Sequence, residues 1–111
     1  MLADNTFIIA VTAPASGGTP ATIRSLLAAN AYQLAALGAR TIAQIDVYAD
    51  ATDIYVRDSV DTTNRPNDYA IAYAASHAPV TIAAHQIDSK AFLISSGAAA
   101  AVRLVMHLKV T

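Results

Sequence analysis

Between Val102 and Val110 every even position is apolar: Val102, Leu104, Met106, Leu108 and Val110. The odd positions carry Arg103, Val105, His107 and Lys109, three of which favour water. Successive strand side chains point to opposite faces, so this phase predicts a long strand with one row on a core and the other outward. Ahead of it lies a second apolar run, Ala91 to Ser95 (AFLIS), and the small residues Ser95, Ser96 and Gly97 predict a hairpin between the two. A sheet with one wet face follows.

The rest of the chain repeats this grammar. Thr6 to Ala13 is rich in β-branched residues and predicts a first strand, and Pro14 to Pro20 (PASGGTP) is a loop set by its breakers. Thr22 is placed as an N-cap, with Ile23, Leu26 and Leu27 following at helical spacing. That helix either stops near Ala29 or runs to Leu37. The short form is preferred, because Asn30 and Tyr32 interrupt the apolar stripe. Thr41 to Ala49 and Asp53 to Asp58 predict two more strands, joined as a hairpin through the turn Ala49 to Asp53. In the second of them Ile54 and Val56 share one face, and Tyr55 and Arg57 the other. Ser59 to Asp68 is a polar surface loop. Tyr69 to Ala74 and Pro79 to Ala84 are further short strands, the latter with Val80 and Ile82 inward. This predicts a mainly β fold, a single antiparallel β-sandwich or jelly roll with one short helix near residues 21–30. Residues 1–20 form an N-terminal strand and loop in this reading, and residues 21–111 the sandwich.

Composition sharpens the picture in two ways. The 26 alanines among 111 residues, with no Trp and two Phe, make a core of small groups that buries little area per residue. Assembly with other chains is therefore expected to cover part of the apolar surface. The seven Lys and Arg are scattered singly, and the net charge is −1, so no basic patch exists for a phosphate backbone and nucleic acid is not expected as a partner. Without Cys, neither disulfides nor thiolate chemistry is open to the chain. The start, MLADNTFIIAVTA, does not have the form of a signal peptide, and no stretch approaches the roughly 20 apolar residues of a membrane span. Cytoplasmic synthesis without a membrane partner is expected.

Catalytic chemistry finds little to work with. The acidic series Asp46, Asp50, Asp53, Asp58 and Asp61 lacks the central Gly and terminal Glu of a calcium loop, so solvated turn carboxylates are its expected role. His77, His85 and His107 show no metal-ligand spacing, and His107 falls on the polar row of the last strand. No GxSxG elbow is present. The expectation is a protein that is not an enzyme and has no metal site or cofactor.

The run DIYVRD (Asp53 to Asp58), the polar loop SVDTTNRPND and the end AFLISSGAAAAVRLVMHLKV resemble the small β-sandwich virion proteins of tailed bacteriophages, the head decoration or cement proteins. The segment Thr22 to Ala28 (TIRSLLA) is similar to theirs as well, whereas SHAPVTIAAHQIDSK lacks the Gly-rich loop that such proteins often carry. The resemblance implies a jelly-roll-like fold, a homo-oligomer (a trimer), a place on the outside of an assembled capsid, and the major capsid protein as partner. Met1 to Ala13, ahead of the breaker-rich loop, is then the candidate arm that leaves the body and adds a strand to a neighbour, with Thr6, Phe7, Ile8, Ile9, Ala10 and Val11 as partner-binding residues. The alternative is a tail or fibre module that binds a host glycan or receptor, with Tyr48, Tyr55, Tyr69 and Tyr73 supplying an aromatic patch.

Overall fold

The computed structural model describes residues 6–28, 42–59, 68–87 and 91–109. Within them the strands are β1 (Thr6–Ala13), β2 (Ala21–Thr22), β3 (Ile42–Ala49), β4 (Ile54–Arg57), β5 (Asp68–Ala72), β6 (Val80–Ala83), β7 (Phe92–Ser95) and β8 (Ala100–Leu108). One short helix, α1 (Ile23–Ala28), follows β2. Its start is set where the sequence placed it: the Ser25 N–H donates to Thr22 Oγ1 at 3.1 Å, which satisfies an otherwise orphaned donor of the first turn. Ile23 and Leu27 turn inward one helical turn apart. The longer alternative, a helix to Leu37, lies outside the described residues, as does most of the polar loop after Ser59.

The strands form two antiparallel sheets, ordered β1-β8-β3-β6 and β2-β7-β4-β5. Strand β1 pairs with β8, β2 with β7, β3 with β6 and β4 with β5. First with last and inward to the middle is the pairing of one long ribbon wound around a core, the strand order of a jelly roll. The core is apolar and shared by both sheets. From the first come Ile9, Val11, Ile45, Val47, Ile82, Leu104 and Met106, and from the second Ile54, Val56, Ala72 and Leu93. In β8 the predicted phase holds, with Val102, Leu104, Met106 and Leu108 buried and Arg103 and Lys109 exposed. Val110 lies outside the described residues, and His107 is only half-exposed.

Two predicted hairpins are corrected. β3 and β4 lie in opposite sheets, and so do β7 and β8, so each link arches across the sandwich instead of folding back beside itself. Alternation fixes which face of a strand is apolar but not which neighbour it bonds. The competition for β8 is won by β1 and β3, because both pair along nearly its whole length, whereas β7 has only four residues to offer. The arches are tied to each other at one end of the molecule. The Ser96 N–H donates to the Asp53 carbonyl at 3.0 Å, the Ser95 N–H to the Pro14 carbonyl at 2.8 Å and the Ser16 N–H to the Gly97 carbonyl at 2.8 Å. Ser95 is fully buried and its hydroxyl accepts from the Gly97 N–H at 3.1 Å, while Asp53 Oδ1 accepts from the Ala74 N–H at 2.8 Å. The SSG step is therefore a clamp between sheets, not a hairpin tip.

The alternation of β4 groups Arg57 with Tyr55 on the face opposite Ile54 and Val56, and Arg57 is buried at 3% exposure. The ladder to β5 shifts register between Val56 and Arg57, whereas the ladder to β7 runs unbroken through Val56↔Leu93 and Arg57↔Phe92.

Strand β1 is built into the sandwich and does not stand apart from residues 21–111. It pairs with β8 from Thr6 to Ala13 and sends Ile9, Val11 and Ala13 into the core. Leu104→Ala should lower stability by about 2–5 kcal/mol, because the site is enclosed on all sides, while Lys109→Ala should change it by less than about 0.5 kcal/mol; thermal denaturation separates the two. Removing Met1 to Ala10 should abolish cooperative unfolding, since it strips most of an edge strand and uncovers β8. A truncated chain that melts sharply near the full-length temperature contradicts this.

Candidate functional site

The outward face of the first sheet gathers the polar and aromatic side chains of four strands. Register places Ile8, Val105, Asp46 and Thr81 in one row across β1, β8, β3 and β6. The rows beside it are Thr6, His107, Gln44 and Ala83 on one side, and Ala10, Arg103 and Tyr48 on the other.

Asp46 is the hub of this face. Its Oδ1 accepts from the Thr81 hydroxyl at 2.7 Å and from Gln44 Nε2 at 3.5 Å, and its Oδ2 lies 2.9 Å from His107 Nε2. The carboxylate is largely covered, at 15% side-chain exposure, and the imidazole is at 35%. Asp46 faces Val105 directly, so His107 is its diagonal neighbour, a separation that side chains of this length span. Both the hydroxyl and the imidazole converge on one carboxylate. A nucleophilic relay needs the hydroxyl and the carboxylate on opposite nitrogens of the imidazole, so this geometry is a cross-strand tie and not a relay.

Next to the hub the face turns apolar. Ile8, Tyr48, Arg103 and Val105 line a half-open pocket of about 100 Å³. The Arg103 guanidinium carbon lies 5.8 Å from the centroid of the Tyr48 ring, within the range of a cation–π contact. Ile8 is 49% exposed, although it sits in a strand whose alternate residues are in the core.

The residues proposed from sequence are divided by this geometry. Of the six in β1, Ile9 and Val11 are buried and Phe7 packs against the core, while Thr6, Ile8 and Ala10 share the outward row. Three of the four tyrosines do not share one patch: Tyr48 belongs to the first sheet, Tyr55 to β4 in the second, and Tyr73 is exposed just after β5, while the side chain of Tyr69 lies outside the described residues. Asp46 leaves the acidic series for the outer face, Asp50 and Asp53 lie in the β3–β4 arch, and Asp61 is outside the described residues. Among the described residues no three His, Cys, Asp or Glu side chains gather where they would hold a metal ion. The tie between Asp46, Thr81 and His107 was missed, because its members are 35 and 61 residues apart and meet only once the register of three strands is known. No described helix is long and apolar enough to cross a membrane.

No family model, curated protein or solved structure matches the chain.

Asp46→Ala removes the acceptor shared by three side chains. It should lower the unfolding free energy by about 1–2 kcal/mol, against about 1 kcal/mol or less for Thr81→Val. Urea titration of both variants checks the order; equal losses would mean that Asp46 does not act as the hub.

Proposed function

We propose that the chain is a structural virion protein that adds to the outside of an assembled phage head and reinforces it, with the major capsid protein as partner. The observation that carries this reading is the outer face of the first sheet. A half-exposed Ile8 and an apolar pocket lie on a rigid double layer, beside an edge strand, with the Asp46 tie as polar surround. An apolar centre with a polar border is what a protein contact requires. The similarity of DIYVRD and of the Ala91–Val110 segment to decoration proteins points the same way. Reinforcement by such a protein works through repetition: each bound copy favours the assembled shell over its dissociated parts, and many modest contacts add up.

A second reading, recognition of a host glycan by a tail or fibre module, draws on the same face. Gln44, Asp46 and Tyr48 lie on one outward row of β3, an amide, a carboxylate and an aromatic ring in line.

Particles assembled without the protein should form but release DNA at lower temperature, and the purified protein, added back, should saturate their surface in many copies and restore the wild-type release temperature. Equal robustness of bare and coated particles contradicts the reinforcing role and favours the glycan reading.

A further inference from the structure

The exposed charges on the outer face of the first sheet are of one sign. Among the described residues of that face they are Arg103 and, just past β8, Lys109, although the whole chain carries a net charge of −1. Asp46 offers little negative charge outward. Its carboxylate is largely covered, accepts from Thr81 and Gln44, and meets His107. Arg103 stands between Ala10 and Tyr48 across three strands, and lines the pocket with Tyr48, Ile8 and Val105. Size limits what that pocket can take. Sites for free ligands enclose roughly 300–1,000 Å³, whereas this one holds about 100 Å³. A single side chain from a partner suits such a space better than a whole free ligand does.

We propose that this pocket receives a carboxylate side chain from an acidic segment of a partner protein, with Arg103 as the anchor. The step rests on the reading above, that the outer face of the first sheet is a docking face, and adds the chemistry of what docks there. The Arg103 guanidinium carbon sits 5.8 Å from the Tyr48 ring centroid. A guanidinium over a ring face keeps its N–H edges open, and one edge takes a carboxylate through two parallel hydrogen bonds. Among the described residues no carboxylate holds that edge, since the Asp46 carboxylate of the same face is tied to His107 and Thr81. The contact with Tyr48 also reduces the side-chain freedom that binding would otherwise remove. Ile8, 49% exposed, and Val105 supply apolar sides for the methylene stem that carries the charge. Glutamate, with its longer stem, matches this division better than aspartate.

NMR titration of the full chain with the capped peptide Ala-Leu-Glu-Leu-Ala, and with the same peptide carrying Gln in place of Glu, tests this. The Glu peptide should give saturable shifts at Ile8, Tyr48, Arg103 and Val105 with a Kd of about 1 mM or tighter, and the Gln peptide should bind about 10-fold more weakly. Arg103→Gln should weaken the Glu peptide by about 10-fold. Arg103→Lys should weaken it less, because an ammonium keeps the charge but lacks the planar fork. Lys109→Gln removes the same charge outside the pocket and should lower affinity by less than about 2-fold. The proposal is overturned by the absence of saturable shifts at these residues, by equal affinity for the two peptides, or by equal losses from Arg103→Gln and Lys109→Gln. It is also overturned if a short single-stranded DNA displaces the peptide at equal concentration, or if proton–proton contacts in the free protein place another part of the same chain in the pocket. The titration uses no particles. Its failure leaves the reinforcing role standing, whereas equal robustness of bare and coated particles leaves the pocket's preference for a carboxylate intact.

Discussion

The structure depends on β8 being the shared strand of the first sheet. Both of its edges are taken, by β1 and by β3, and its inward row of Val102, Leu104, Met106 and Leu108 fills the space between the two sheets. A core rich in alanine has few side chains large enough to bridge two sheets about 10 Å apart. The long apolar row of β8, facing Ile54, Val56 and Leu93 across the gap, supplies much of that bridge. Because β8 bonds on both sides, β7 is left to the other sheet, and the chain must arch over the core between Ser95 and Ala100. The backbone hydrogen bonds that tie Ser95, Ser96 and Gly97 to Pro14, Asp53 and Ser16 hold that crossing in place.

The phase of β8 also builds the outer surface. Its outward row sets Arg103 over Tyr48, Val105 between Ile8 and Asp46, and His107 against Asp46. A slip of one residue would send Arg103 and Lys109 into the core and bring Leu104 and Met106 out, so the hydrophobic pattern fixes the binding face as firmly as it fixes the core. Packing and surface chemistry are thus two sides of one strand register.

Local features were legible in the sequence, and relations between distant segments were not. The limits of β1 follow from its β-branched run and the breakers after it, the start of α1 from Thr22, and the inward row of β8 from its alternation. Each of these depends on neighbours a few residues away. The arches at Asp50–Asp53 and Ser96–Ala99 were read as hairpins because turn residues look alike whether the chain returns in its own sheet or crosses to the other. Of the outer face, the sequence reveals that Arg103 and His107 occupy polar positions, whereas Asp46 reads there as a solvated turn carboxylate and lies instead within β3, largely covered. That Asp46 meets His107, or that Ile8 meets Val105, depends on strand pairing alone.

The placement of β8 can be read directly from proton–proton contacts in solution by NMR. The account predicts cross-strand backbone contacts from Val105 to Ile8 on one side and to Asp46 on the other, with none along β7. Contacts pairing Phe92–Ser95 with Ala100–Arg103 as a hairpin, with Ile8 remote from Val105, would contradict both the winding of the chain and the face assigned to it.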